Sequence, residues 1–123
     1  MPHPKKLKRT MEYFLIYHPE TNSYFCNKSK NPKVSVRRQF HRAFNENRDD
    51  LDCEFYKDVR EYGVDAFLVR YSLEMPEFCE CRAHYVKNNE RNDDIYKIVK
   101  GMREEPTPPE GASNGGKINE KRK

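Results

Sequence analysis

The chain has 123 residues, enough for one domain, with 36% charged and 35% apolar residues and a net charge of +4. No apolar run reaches the roughly 20 residues a bilayer span needs, and the basic N-terminus lacks the apolar stretch of a secretory signal. The expectation is an intracellular protein, cytoplasmic or nuclear, with no membrane partner. Its four cysteines, Cys26, Cys53, Cys79 and Cys81, then read as free thiols. The zinc alternative rests on a single close pair, Cys79-x-Cys81, which is tighter than the usual ligand spacing.

Residues 1–10 carry Lys5, Lys6, Lys8 and Arg9, two prolines and no acid, and read as a disordered basic arm. The KKLKR run is of a kind that serves nuclear import or nucleic-acid contact. Residues 11–17 (MEYFLIY) are aromatic and β-branched and predict a strand, followed by the turn-rich HPETNS and a second strand at Tyr24–Cys26. The two form a hairpin.

The period then changes. Val36, Phe40, Ala43 and Phe44 mark one face of a helix over about 32–46, with Pro32 in its first turn. A second helix is expected from an N-cap at Asp49 or Asp50, with Leu51, Phe55, Val59 and Tyr62 as its apolar face and Gly63 at its end. Residues 66–73 alternate through Phe67, Val69, Tyr71 and Leu73 and predict a third strand. A third helix is expected from Pro76, with Phe78, Cys81, Tyr85 and Val86 as its buried stripe. A fourth runs over about 93–102, with Ile95, Ile98, Val99 and Met102 facing inward.

From Glu104 the chain is rich in proline, glycine and charge and reads as a disordered tail. The expectation is an α+β domain over 11–103. Its order is β-β-α-α-β-α-α, with a small three-stranded sheet that begins with a hairpin and is flanked by helices.

Charge within the domain is segregated. Lys28, Lys30, Lys33, Arg37, Arg38, Arg42 and Arg48 stand against Glu46 alone over residues 28–48, a local +6. Residues 49–65 hold a local −5. The basic segment suits a phosphate-binding face, with Lys28, Lys30, Lys33, Arg38 and Arg42 as contacts. Two solvated faces that attract one another are the alternative.

This order, with Met11-Glu12-Tyr13 and Tyr24-Phe25-Cys26 ten residues apart in the hairpin, resembles the GIY-YIG endonuclease domain. Both motif tyrosines are present and both glycines are absent. Arg37 and His41 resemble the family's arginine and histidine on the first helix, with Arg38 as a competing choice for the arginine, and Glu61-Tyr62-Gly63-Val64-Asp65-Ala66-Phe67 is similar to its tyrosine-glycine element. The family glutamate would stand three residues before Tyr85, where this chain has Arg82. Glu80 is the nearest carboxylate, on nearly the opposite face of a helix.

The resemblance spans about residues 11–90. It implies a metal-dependent endonuclease acting on DNA, with Tyr13, Tyr24, Arg37, His41 and Glu80 as catalytic residues. Glu80 would hold Mg²⁺ or Mn²⁺, and metal and guanidinium would offset charge developing on the phosphate. Two alternatives stand beside it: a catalytically inactive nucleic-acid-binding descendant, and a protein-interaction module.

Overall fold

The computed structural model describes residues 11–45, 47, 53–79 and 82–107. The fold is α+β, as expected. β1 (Glu12–His18) and β2 (Ser23–Ser29) form the hairpin, with Glu12 opposite Ser29 and His18 opposite Ser23. Asn22 closes the turn at φ 57°, a conformation asparagine tolerates, and its Oδ1 accepts the Tyr17 hydroxyl at 2.6 Å. β3 (Leu68–Ser72) pairs antiparallel with the other edge of β1, and β4 (Tyr85–Val86) with the outer edge of β2. The sheet order is β3-β1-β2-β4. β1 is covered on both faces, which explains why its sequence is nearly unbroken in apolar character.

Side chains alternate across that sheet into two cores. Phe14, Ile16, Phe67 and Tyr71 meet α1 (Pro32–Ala43) and α2 (Glu54–Tyr62) through Val36, Ala43, Phe55, Tyr56 and Val59. Phe55 lies at the centre, its ring 5.5 Å from Phe25 and 5.3 Å from Tyr85. On the opposite face Leu15, Tyr17, Tyr24 and Cys26 meet Cys79 and Val99, the latter on α3 (Asp93–Lys100). Cys26 and Cys79 are buried there as neighbouring thiols, and their hydrogen bond lowers the Cys26 pKa more than burial raises it. α3 is capped by Asn92, whose side chain accepts from the Ile95 amide, with acids in its first turn and lysines in its last.

Several expectations are corrected. The sheet has four strands instead of three, because the segment expected as a third helix supplies β4. Tyr85 packs into the α1–α2 core and its neighbour Val86 into the α3 core, the two-residue period of a strand. Ala83, at φ 68°, interrupts helical backbone before them, and its amide bonds the Cys26 carbonyl at 2.8 Å.

α1 stops at Ala43, where Arg60 Nη1 donates to the final carbonyl at 3.0 Å, so Phe44 leaves the helical period and is exposed. Ile98, expected to face inward, and Tyr62, expected on the apolar face of α2, are exposed as well. α2 begins at Glu54, and the expected aspartate cap and Leu51 lie outside the described residues. So do residues 1–10 and 108–123. The segment expected to leave the domain at 104 remains on it through Thr107. Arg103 bridges Tyr71, Glu105 pairs with Lys33 at 2.7 Å, and Thr107 donates its amide and hydroxyl to the buried Glu12 carboxylate at 2.9 and 3.1 Å.

Gly63 ends α2 at φ 88°, ψ 155°, a region that essentially only glycine enters freely. A methyl group there would meet no atom within 4 Å, so substitution strains the backbone and clashes with nothing. Gly63→Ala is expected to lower stability by about 1–3 kcal/mol in urea titration. A loss below about 0.5 kcal/mol would show that the turn relaxes.

Candidate nucleic-acid interface and a buried polar network

The cationic residues gather where β2 ends and α1 begins. Asn31 donates its amide to Ser29 Oγ at 3.0 Å and Ser35 donates its hydroxyl to the same atom at 2.7 Å, closing the connection tightly. Lys30, Lys33, Arg37, Arg38 and His41 are exposed, while Lys28 and Arg42 are half-buried. Lys28 Nζ sits 5.3 Å from the centre of the Tyr13 ring.

The helices differ in charge pattern. α2 carries Glu54, Asp58 and Glu61 beside Lys57 and Arg60, and α3 carries two aspartates beside two lysines. α1 has no acid, and none occurs anywhere over residues 28–45. The Lys33–Glu105 pair is exposed on both sides and holds little free energy, so Lys33 can exchange that carboxylate for another anion. Arg37 acts near Tyr71. Burial first, then Glu105 and Glu12, push the Tyr71 pKa up, and Arg37 opposes them.

The residues suggested by the GIY-YIG resemblance fall into separate places. Tyr13 belongs with Leu15, Tyr17 and Tyr24 on the α3 side of the sheet. Arg37 and His41 are on α1, across the sheet from them. Tyr24 is buried, edge-on to Phe78 at 5.3 Å, and donates its hydroxyl to the Phe78 carbonyl at 3.1 Å. Glu80, and with it the expected metal ligand, lies outside the described residues. Among the described residues no three histidine, cysteine or acidic side chains are grouped to hold a metal ion. The buried carboxylates of Glu12 and Asp58 are each already engaged.

A second constellation stands at the hairpin end of the sheet. Asp58, 2% exposed on α2, accepts the Tyr85 hydroxyl at 2.6 Å and Lys87 Nζ at 2.7 and 2.9 Å. His18, fully buried at the end of β1, lies 4.5 Å from the Tyr62 ring and 4.9 Å from Phe67. Its Nδ1 shares a hydrogen bond with Thr21 Oγ1 at 2.9 Å, and its Nε2 has no partner among the described residues. Thr21 continues the chain of bonds to Ser23, and Ser23 to the backbone of Asn88.

Burial lowers the His18 pKa, which keeps the ring neutral, although Asp58 acts in the other direction. The Asp58 hydrogen bond holds the Lys87 proton more firmly, and burial pushes the Tyr85 phenol well up. The network ties α2, the hairpin and the end of β4 together.

The sequence carried signals for both buried groups. Asp58 stands three residues after Phe55 and four before Tyr62, on the apolar stripe of α2. His18 extends the alternation Phe14, Ile16 along β1.

Compared with protein-family models, curated proteins and solved structures, the chain matches none. No helix among the described residues is long and apolar enough to cross a membrane.

Proposed function

We propose that this domain binds nucleic acid through the surface formed by the end of β2 and the outer face of α1. One observation carries the reading: α1 exposes Lys33, Arg37 and Arg38 with no acidic residue on the helix, whereas α2 and α3 mix both signs. A helix kept soluble by charge alone has no reason to exclude acids. A helix that meets a polyanion does, because each carboxylate would repel phosphate and each cation releases counterions on binding.

The geometry supports binding over hydrolysis. The endonuclease chemistry implied by the GIY-YIG resemblance needs its tyrosines, arginine and metal-holding carboxylate around one phosphate. Here Tyr24 is buried with its hydroxyl engaged, and the sheet lies between the tyrosines and Arg37.

The test is fluorescence anisotropy with labelled DNA across a salt series, run beside a cleavage assay with Mg²⁺ and with Mn²⁺. The wild-type affinity should fall steeply with salt. The Arg37→Gln/Arg38→Gln double variant should bind more weakly and lower the log–log salt slope by about 2. Lys57→Gln on α2 should change neither. Salt-independent affinity, or equal loss from both variants, would overturn the reading. Metal-dependent cleavage that survives purification, and is lost in Tyr24→Phe and Glu80→Ala, would restore the nuclease.

A further inference from the structure

We infer that the α1 face takes single-stranded nucleic acid, DNA or RNA, with Phe44 as the platform on which an unpaired base stacks. The inference rests on the nucleic-acid reading above and names its substrate. Of the chain's seven phenylalanines Phe44 alone is exposed, at 53%, while the other six are buried or half-buried.

Its position is specific. At 3.6 residues per turn, Lys33, Arg37 and His41 fall along one stripe of the helix surface, about 12 Å from end to end, and Phe44 stands at the C-cap three residues beyond His41. Val34, 41% exposed, lies beside that stripe. The face therefore offers cations for phosphates with apolar surface between and beyond them, the pairing that holds a strand whose bases are unstacked.

A duplex would make poor use of this arrangement. Its bases are already stacked, so a ring on the protein surface finds no free base face. Base edges are read by arginine or lysine at guanine and by a free amide at adenine. The amide of α1, Gln39, is instead engaged inside, where its Oε1 accepts the Tyr56 hydroxyl at 3.1 Å. The surface has what sequence-tolerant binding of a single strand needs. Its affinity should depend on the aromatic ring as well as on salt.

The experiment measures the full chain by anisotropy against labelled oligothymidylate, oligouridylate and a mixed-sequence duplex, each about 16 nucleotides long. The wild type should prefer a single strand, and the tighter of the two homopolymers identifies DNA or RNA as the better ligand. Phe44→Ala should weaken single-strand binding about tenfold and leave duplex affinity and the salt slope unchanged. Phe44→Trp should retain or improve single-strand binding. Phe44 is a surface residue, so a far-UV circular dichroism spectrum like the wild type's is expected for both variants.

Equal or tighter binding of duplex would overturn the inference. So would a Phe44→Ala variant that binds single strands normally or loses both ligands alike. If Arg37→Gln/Arg38→Gln still weakens binding in those cases, the nucleic-acid reading survives without this substrate. If the wild type binds none of the three ligands, both fall.

Discussion

Asp58→Ala is expected to cost about 3 kcal/mol of folding stability. Its carboxylate is only 3% exposed and joins elements far apart in sequence, accepting Tyr85 from β4 and Lys87 just beyond it. Truncation leaves the Tyr85 hydroxyl in a half-buried site without the Asp58 acceptor. Lys87, with 36% of its side chain exposed, can turn to water, so little of the cost arises there.

The reciprocal change differs. Lys87→Met leaves a buried carboxylate with the Tyr85 hydroxyl as its remaining side-chain donor, and a loss of about 2 kcal/mol is expected. Tyr85→Phe removes one hydrogen bond and should cost about 1 kcal/mol. The chain has no tryptophan, so urea titration followed by far-UV circular dichroism is the suitable measurement. An Asp58→Ala variant within about 0.5 kcal/mol of wild type would mean that α2 and β4 are held by their apolar contacts alone.

The second large effect is the dependence of stability on pH, which should form a plateau with two falling limbs. On the acid side, His18 has a folded pKa below its unfolded value of 6.5, chiefly through burial. Around it, Asp58, Glu61 and Glu20 favour its protonation and Lys87 opposes it. Below about pH 6.5 the unfolded chain takes up a proton that the folded one refuses, so stability falls by up to about 1.4 kcal/mol per pH unit until the folded pKa is reached.

On the alkaline side burial raises the pKa of Tyr17, Tyr71 and Tyr85 above 10.0. Above about pH 10 the unfolded tyrosines lose protons that the folded ones keep, and stability falls by up to about 4 kcal/mol per pH unit for the three together. Lys87, raised above 10.5 by its bond to Asp58, acts with the same sign. Urea midpoints measured across the range from about pH 5 to about pH 11 would trace both limbs. His18→Gln should flatten the acid limb and leave the alkaline one. An unchanged acid limb in that variant would assign it to carboxylates instead.

Local pattern carried much of the architecture. The hairpin, the α1 stripe through Val36 and Ala43, the Gly63 stop and the alternation of β3 all follow from short-range chemistry. The segment around β4 did not yield to the same reasoning. Phe78 and Tyr85 are seven residues apart, which suits a helix, but the open edge of β2 and the Asp58 acceptor draw Tyr85 into a strand. Those partners are more than twenty residues away in sequence.

The cationic surface was legible because charge segregation is a property of the string itself. The relation of the tyrosines to Arg37 was not. Motif spacing matched, yet β1 turns Tyr13 to one side of the sheet and Phe14 to the side where α1 packs. One residue of strand parity decides whether two groups share a site.

The bonds between Glu12 and Thr107 have a topological consequence. They bring the two ends of the segment 11–107 within hydrogen-bonding distance, so that segment is nearly a closed loop of chain. Such a unit can be spliced into a surface turn of a host protein without prying that turn apart, or circularly permuted with a short linker joining 107 to 11. It would enter and leave its host at one point, with the cationic helix carried outward as a self-contained module.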